Sequence, residues 1–289
     1  MEPTIWTYWE TVDGRPRAAY LDLCLETIMR HAGAIPVRVV SPDSIADWLP
    51  DLDMGLWNRL PGPARRADYV RTRLVHRHGG VWLDIDVIAL SPLSGLFDMI
   101  VEGRPVFAGE DDKHPMSVNL FGAYPHDPIL GAWLEEQDRV ITHASDLNTL
   151  DWNALGSLIL ARLLPAAAFT QLPATRFLPL AWYEWQRFLS PYEPVDPILA
   201  HQPITVMLFN AVMKRDMQRY TADQLLHSPI LVARLLRIGL GHSTVKDESA
   251  QTARIWRRGM LRAHRARSAA SHKARAAQSA VLRWSRARR

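Results

Sequence analysis

The stretch HRHGGVWLDIDVIALSP, residues 76–92, decides the fold class of this chain. Within it, the apolar run GVWLDID follows a Gly-Gly pair and has the composition of a buried strand. Because side chains alternate along a strand, Asp84 and Asp86 are predicted to lie on one face. Two carboxylates this close repel each other and raise each other's pKa, so we expect a cation beside them.

Strand and helix patterns alternate on both sides of this stretch. The segment PTIWTYW (3–9) is β-rich, a helical pattern follows and ends at Gly33, and IPVRVV (35–40) is a second strand. The helical pattern RRADYVRTRLVHRH (65–78) then leads into the strand that carries the aspartates. This order predicts an α/β fold with a Rossmann-like, mostly parallel central sheet and helices on both faces.

The second half is less regular but still predicts elements of both kinds. We expect strands in RPVFAG (104–109) and SVNLFGAYP (117–125), a helix opened by Asp127-Pro128, and another helix in NALGSLILARLL (153–164). Long loops rich in proline and tryptophan should follow, from residue 172 to residue 203.

Composition is typical of a globular protein of one large domain, with 289 residues of which 48% are hydrophobic. The single cysteine, Cys24, excludes an internal disulfide and a cysteine-based zinc site, which favours a reducing compartment. The first twenty residues are charged, and no apolar run approaches the ~18 residues of a membrane span. We therefore expect no signal peptide, no transmembrane anchor and a cytoplasmic location.

Basic residues are concentrated at the end of the chain. Residues 251–289 hold 12 Lys/Arg and no Asp/Glu, so the preceding residues have 22 basic side chains against 30 acidic ones. We predict two parts: a domain over residues 1–249 and a basic, Ala/Arg-rich helical tail over residues 250–289. Such a tail favours an anionic membrane surface, here the inner face of the cytoplasmic membrane, or else remains a solvated arm. Nucleic acid is a weaker expectation, because no aromatic-basic recognition module accompanies the tail.

The segment ARRADYVRTRLVHRHGGVWLDIDV (64–87) resembles the signature of glycosyltransferase family 32, the DXD-containing sugar transferases. In order, the signature consists of a small residue, Asp, two further residues, Arg, an apolar helix, Gly-Gly, and then aromatic-x-Asp-x-Asp. The family includes capsular polysaccharide enzymes, fungal initiating mannosyltransferases and relatives of the clostridial glucosylating toxins. The resemblance implies a GT-A fold and a retaining, metal-dependent hexosyltransferase. Its donor would be a nucleoside diphosphate sugar, a UDP-sugar by family frequency, and its acceptor a glycan or lipid-linked glycan, as in bacterial surface polysaccharide synthesis.

The resemblance also implies a role for each matching residue. Asp86 would be the direct ligand of Mn²⁺ or Mg²⁺, and Asp84 would bind ribose or sugar hydroxyls and reach the metal partly through water. Asp68 and Arg71 would hold the transferred sugar, and Trp6, in the first strand, would stack on the nucleobase. A metal that neutralises a diphosphate leaving group meets the main catalytic demand of such a transfer.

The family completes its metal and diphosphate site with residues late in the chain. In IGLGHSTVKDES the matching residues are His242 as a metal ligand and Ser243 near the phosphates. The match is incomplete, since no tryptophan closely follows His242. His201 is the alternative ligand, although a histidine that precedes an apolar helix is also explained by capping or packing.

For several other polar and aromatic residues, the sequence leaves two alternative roles open. Asn119 faces the donor sugar or acceptor, or it closes a turn. In the acidic loop GEDDKH (109–114), Glu110 or Asp111 contacts the acceptor, or the loop is simply solvated. Among the eleven tryptophans, Trp182 and Trp185 are the best candidates for exposed sugar-stacking platforms, while most of the others should anchor the core or loops.

Two other functions compete with sugar transfer. A phosphatase or phosphotransferase of the haloacid dehalogenase type also has Asp-x-Asp after an apolar strand, and its first aspartate is a nucleophile. That scheme gives no role to Asp68 and Arg71. A non-catalytic adaptor that acts through the basic tail is the alternative from another class.

Overall fold

The computed structural model describes residues 1–12, 14–109 and 116–242. The predicted tail over residues 250–289, Ser243, and the loop residues Glu110 and Asp111 lie outside these ranges, and the roles predicted for them stay predictions. Across the described residues, no helix combines the length and apolar character that crossing a bilayer requires.

Eight strands form within the described ranges. They are β1 Ile5–Tyr8, β2 Val37–Val40, β3 Gly80–Leu83, β4 Val87–Ala89, β5 Val106–Ala108, β6 Leu120–Ala123, β7 Thr170–Leu172 and β8 Thr205–Met207.

Eleven α-helices accompany them in the same part of the chain. They are α1 Ala19–Ala32, α2 Ile45–Trp48, α3 Met54–Arg59, α4 Gly62–His78, α5 Ser94–Phe97, α6 Pro128–His143, α7 Ser157–Leu163, α8 Asp196–Leu199, α9 Asn210–Met217, α10 Ala222–Leu226 and α11 Leu231–Gly239.

Six of the strands form the central sheet, in the order β2-β1-β3-β6-β5-β7. β1 pairs in parallel with both β2 and β3, and β5 pairs in parallel with β7. β6 is antiparallel to its neighbours β3 and β5, so it alone among these six strands runs the other way. The mostly parallel α/β sheet predicted from the sequence is confirmed. β4 and β8 form a separate antiparallel pair.

The two faces of the sheet are covered by different helices. Strand side chains alternate between the faces, as the period of two requires. On one face the strands pack against α4, α6 and α7, in a cluster that includes Trp6, Trp82, Phe107, Phe121, Leu74, Trp133 and Ile159. On the other face they pack against α1, α5 and β8, in a cluster that includes Ile5, Val81, Val106, Leu120, Ile28, Leu96 and Met207. Helices on both faces are therefore confirmed as well.

The Gly-Gly pair connects α4 to the centre of the sheet. Gly79 ends α4 with φ +71°, and Gly80 has φ +102°, both in the region that disfavours side chains. A Cβ on Gly80 would lie 2.4 Å from the backbone oxygen of Thr4, in the segment that leads into β1. Two glycines are needed here because the chain reverses direction and passes directly against a neighbouring backbone.

Candidate active site

The candidate site lies at the carboxyl end of β3, where ligands commonly bind in open α/β sheets. Because α4 runs into β3 through a tight reversal, its first turns lie beside the end of that strand. β3 ends at Leu83, so Asp84 and Asp86 lie in the connection that follows it, before β4, rather than within the strand itself. The fold thus brings Asp68 and Arg71 of α4 close to the DXD aspartates.

Arg71 is the centre of this group. Its Nη2 lies 2.9 Å from Oδ1 of Asp68 and 3.5 Å from Oδ1 of Asp84. Its Nη1 donates to the backbone oxygen of Val118 at 2.7 Å, and its Nε donates to that of Ala67 at 3.3 Å. The guanidinium is buried and uses all of its nitrogens, so it holds two carboxylates in a fixed arrangement that a lysine could not reproduce.

Asp84 is held from three directions. Besides the pair with Arg71, its Oδ1 accepts a hydrogen bond from Nε1 of Trp82 at 2.7 Å. Its backbone N–H donates to the backbone oxygen of Asn119 at 3.0 Å. Asn119 precedes β6, and because β6 is antiparallel, this residue reaches the same edge of the sheet. This contact uses the backbone of Asn119, and both roles predicted for its side chain stay predictions.

Asp86 is bound by a part of the chain that the motif does not contain. Pairing of β4 with β8 brings residues 207–210 alongside it, and the backbone N–H of Leu208 donates to its carbonyl at 2.9 Å. The backbone N–H of Asn210, the first residue of α9, donates to Oδ2 of Asp86 at 2.6 Å. The side-chain oxygen of Asn210 accepts from the Tyr20 hydroxyl. Sequence reasoning missed Tyr20 and Asn210.

All three carboxyl groups have raised pKa values. Burial raises the pKa of Asp68 to about 6, against the opposing effect of Arg71. Burial also raises the pKa of Asp84, which Arg71 and the Trp82 hydrogen bond partly offset. The pKa of Asp86 rises to about 7 because the group is buried and because the Asp84 charge is close. The positive charge of Arg71 therefore does not fully offset the effect of burial on the three carboxyl groups. Added positive charge would favour their ionised forms.

The two aspartates of the DXD motif fit a hard divalent cation. The hydrogen bonds described above use Oδ1 of Asp84 and Oδ2 of Asp86, so each group has a second oxygen for a ligand bond. Carboxylate oxygens are the donors that Mg²⁺ and Mn²⁺ prefer, and these ions take their other ligands from phosphates and water. Within the described residues, however, no group of three His, Cys, Asp or Glu side chains is arranged to hold a metal.

The structure does not bring His242 to the aspartates. Gly241, its neighbour, lies against the side chain of Arg30 in the last turn of α1, whereas Tyr20, in the first turn, reaches Asp86 through Asn210. Ten helical residues separate the two ends, a distance of roughly 15 Å along the axis. His242 is also exposed. The predicted ligand role of His242 therefore does not agree with this structure.

The alternative metal ligand predicted from the sequence is His201. His201 is exposed and follows α8, and the chain then enters β8 through Ile204, whose carbonyl accepts from the backbone N–H of Leu90. Leu90 lies just beyond the far end of β4 from Asp86, roughly 13 Å away at the rise of an extended strand. His201 therefore lies away from the aspartates too.

Trp6 was predicted to stack on a nucleobase, and the structure contradicts this. Its indole is 2% exposed and belongs to the core on the α4 face. Its Nε1 donates to the backbone oxygen of Gly79 at 2.9 Å, and its ring contacts Trp48 and His78 at centroid distances of 5.0 and 5.2 Å. Residues at even positions of β1 face this core, which is why Trp6 is buried.

Trp9 occupies the place that was expected for Trp6. It follows the last residue of β1, and its backbone N–H donates to Val40 at the end of β2, so it lies at the carboxyl edge of the sheet. Its ring is partly exposed, and its buried Nε1 finds no hydrogen-bond acceptor in the described structure. The end of β1 after Tyr8, which separates Trp9 from the buried strand, is known from the structure.

The predicted sugar-stacking tryptophans are only partly exposed to solvent. Trp182 is 47% exposed, at the start of the 3₁₀ helix Trp182–Leu189, and contacts the exposed ring of Tyr183. Trp185, in the same helix, is half-buried. Trp152, which was not singled out, is more exposed than either, at 62%.

Several solved glycosyltransferase structures are similar to this chain. The glycosyltransferase GlyE of Streptococcus pneumoniae TIGR4 is 12% identical with a TM-score of 0.49; the match covers 85% of this chain and 61% of GlyE. The galactosyltransferase LgtC is 14% identical with a TM-score of 0.45, over 88% of this chain and 99% of LgtC. A glycosyltransferase involved in glycosylation of the major capsid of PBCV-1 is 11% identical with a TM-score of 0.45, over 74% of this chain and 98% of that glycosyltransferase.

The comparison with curated protein sequences found no match. The comparison with family models found one, described as the glycosyltransferase sugar-binding region containing the DXD motif, over residues 30–106. That range contains Asp68, Arg71, Asp84 and Asp86, the four side chains that the fold brings together. Over residues 30–106, this chain is therefore similar to the sugar-binding region of glycosyltransferases that contain a DXD motif.

Proposed function

We propose that this protein is a metal-dependent, retaining glycosyltransferase that moves a sugar from a nucleoside diphosphate sugar, a UDP-sugar, to a glycan or lipid-linked acceptor. Synthesis of bacterial surface polysaccharide is the process in which we place it. The observation that supports this most is the buried group of three carboxylates and Arg71 at the carboxyl end of β3. Such a group suits a cation, a diphosphate and a sugar in one crevice.

Asp86 and Asp84 are the residues that would hold the cation. When bound, Mn²⁺ or Mg²⁺ supplies positive charge that stabilises the diphosphate as it leaves. The chain itself prepares the ligands, because the N–H of Asn210 and the N–H of Trp82 each fix one oxygen of an aspartate. Arg71 limits the repulsion between these groups and keeps Asp84 in place.

Asp68 and Arg71 are the groups we assign to the transferred sugar. Asp68 accepts from Arg71 through one oxygen, and its carboxylate is 14% exposed, so it still reaches the crevice. A carboxylate held in this way accepts hydrogen bonds from sugar hydroxyls and orients the ring. Trp9, at the ends of β1 and β2, replaces Trp6 as the residue we assign to the nucleobase, with a partly exposed ring and an indole N–H that has no acceptor among the described residues.

The phosphatase alternative requires Asp84 to attack a phosphoryl group. In this chain Asp84 instead pairs with Arg71 and accepts from Trp82, contacts that hold a carboxylate in place and lower its nucleophilicity. Phosphoryl transfer by Asp84 also assigns no role to Asp68. These contacts support sugar transfer over phosphoryl transfer.

The basic residues 251–289 are the part we assign to an anionic membrane surface, at the inner face of the cytoplasmic membrane, where a lipid-linked acceptor would be found. Truncation after residue 249 separates this from the adaptor alternative. A transferase without its tail should still hydrolyse a nucleotide sugar slowly, whereas an adaptor that acts through the tail should lose its activity.

The central experiment measures nucleoside diphosphate release from UDP-glucose, UDP-galactose, their N-acetyl forms and GDP-mannose, each with Mn²⁺, with Mg²⁺ and with EDTA. We expect one donor to be hydrolysed with metal and none with EDTA. Asp86→Asn should lower that rate on the order of 100-fold or more. Asp51→Asn, an exposed carboxylate paired only with Arg77, is the matched control and should not change it. Turnover that persists in Asp86→Asn, or in EDTA, would refute the assignment.

A further inference from the structure

We propose that the indole of Trp152 is the platform on which the acceptor sugar stacks. This inference rests on the proposed transferase function and adds the acceptor site to it. Trp152 is the most exposed large apolar side chain among the described residues, at 62%. An exposed tryptophan is common on protein surfaces, so the argument depends on what holds it and on where it lies.

The loop that carries Trp152 is anchored by a buried arginine. Nη1 of Arg65 donates to the backbone oxygen of Trp152 at 2.7 Å, and Nη2 donates to those of Leu150 and Asp151 at 3.0 and 2.8 Å. Arg65 is only 8% exposed, and its guanidinium carbon lies 5.8 Å from the centre of the Trp152 ring. Three charge-assisted bonds to consecutive carbonyls fix the backbone, so the ring is exposed without being free.

The same loop packs on the residues that we assign to the transferred sugar. Gln137, fully buried, donates from Nε2 to the backbone oxygen of Leu155 at 2.8 Å and to that of Asp68 at 2.9 Å. Gly156 lies against Val118, whose carbonyl accepts from Arg71. Arg65 is itself close enough to Asp68 to lower the pKa of that carboxyl. Residues 150–156 are therefore anchored beside the part of α4 that carries Asp68 and Arg71.

Two neighbouring arginines of α4 show on which side of the aspartates the loop of Trp152 lies. Arg66 pairs with Glu10 at 2.5 Å, at the end of β1, on the side where we place the nucleobase. Arg65 binds the loop that carries Trp152, on the side of β6. The aspartates follow β3, which lies between β1 and β6 in the sheet. The nucleotide and Trp152 are thus on opposite sides of the transferred sugar, and the acceptor enters on the side of Trp152.

The chemistry of the ring suits a pyranose. An indole presents a large, rigid apolar face with few degrees of freedom to lose on binding, and the C–H groups on one face of a hexopyranose pack well against it. The loop also presents the exposed carboxylate of Asp151 and the partly buried amide of Asn153 for hydroxyl groups. We therefore assign this platform to a hexose residue at the end of the acceptor glycan.

The experiment separates acceptor binding from donor chemistry. Saturation-transfer NMR with lactose, maltose, cellobiose and methyl α-mannoside, in the presence of UDP and diamagnetic Mg²⁺, measures sugar binding without turnover. Donor hydrolysis without acceptor is then measured on the same proteins, together with the acceptor concentration that gives half-maximal transfer. The variants are Trp152→Ala, Trp152→Phe and, as the rival exposed tryptophan, Trp182→Ala.

We expect Trp152→Ala to raise the half-saturating acceptor concentration about tenfold or more and to abolish saturation transfer, while donor hydrolysis stays within about twofold. Trp152→Phe should retain most of the binding, and Trp182→Ala all of it. Sugar binding unchanged in Trp152→Ala, lost in Trp182→Ala instead, or undetectable in the wild type would overturn the proposal. If the wild type binds sugar through Trp152 but hydrolyses no donor, the platform is supported and the proposed transfer reaction is not.

Discussion

Replacing Asp86 with asparagine should stabilise the metal-free protein at pH 8 and leave its stability almost unchanged at pH 4. Asp86 is 6% exposed, and burial together with the Asp84 charge raises its pKa from 3.8 to about 7. A group whose folded-state pKa is raised contributes stability that is complete below its unfolded pKa and is lost as the pH rises through its folded pKa. Ionisation of Asp86 therefore weakens the fold progressively from about pH 4 to about pH 7.

The magnitude follows from that difference. About three pKa units, at about 1.4 kcal/mol per unit, give an upper limit of about 4 kcal/mol at pH 8. Asparagine cannot ionise, but it keeps an oxygen that can accept from the N–H of Asn210, so the hydrogen bond need not be lost. For a domain of this size, each kcal/mol corresponds to roughly 2–4 °C in Tm. We expect Tm to increase on the order of 10 °C at pH 8.

Thermal and urea denaturation in EDTA at pH 4, 6 and 8 would measure this, with Asp51→Asn, at an exposed carboxylate, as the control. Adding Mn²⁺ at pH 8 should raise the Tm of the wild type and not that of Asp86→Asn, because cation binding favours the ionised pair. A stability gain of the same size at pH 4 and pH 8 would refute the electrostatic reasoning. So would a loss at pH 8.

Four further substitutions and one control test the described contacts. Arg71→Met should lower the free energy of unfolding by about 3–5 kcal/mol, measured in urea, because it leaves two buried carboxylates without their partner; an unchanged midpoint would contradict the ion pairs. Trp6→Ala should cost about 3–5 kcal/mol as a core cavity, whereas Trp9→Ala should cost about 1 kcal/mol and weaken UDP binding in calorimetry; the reverse pattern would return the nucleobase to Trp6. Gly80→Ala should prevent folding or cost well over the ~1–2 kcal/mol expected for Gly103→Ala, which also has a positive φ but open space around it; equal solubility and stability of the two would argue against the close backbone approach.

Much of the central motif was predictable because its geometry is local. Residues three apart on a helix share a face, so Asp68 and Arg71 had to lie side by side, and they form an ion pair at 2.9 Å. The helix passes through two glycines into the strand, so the carboxylates of the DXD motif had to lie near the first turns of α4. The Asp127-Pro128 pair likewise predicted the start of α6, where the Asp127 side chain accepts from two backbone N–H groups.

The errors arose where a residue's environment depends on distant parts of the chain. Trp6 and Trp9 stand three positions apart in one apolar run, and only the end of β1 after Tyr8 separates a buried indole from one at the edge of the sheet. His242 was placed by analogy with a late histidine, and the packing of α11 beside the far end of α1 keeps it away from the aspartates.

The sequence by itself determined the α/β class, the Gly-Gly reversal and the group of Asp68, Arg71, Asp84 and Asp86, because helix and strand periodicity fix which neighbours along the chain share a face. Tertiary structure decided the rest. The hydrogen bond from Asn210 to Asp86 joins residues 124 positions apart and depends on the pairing of β4 with β8, and the loop of Trp152 is anchored by Arg65, 87 positions earlier. Such contacts depend on which elements pack together, and no pattern within a single helix or strand carries that information.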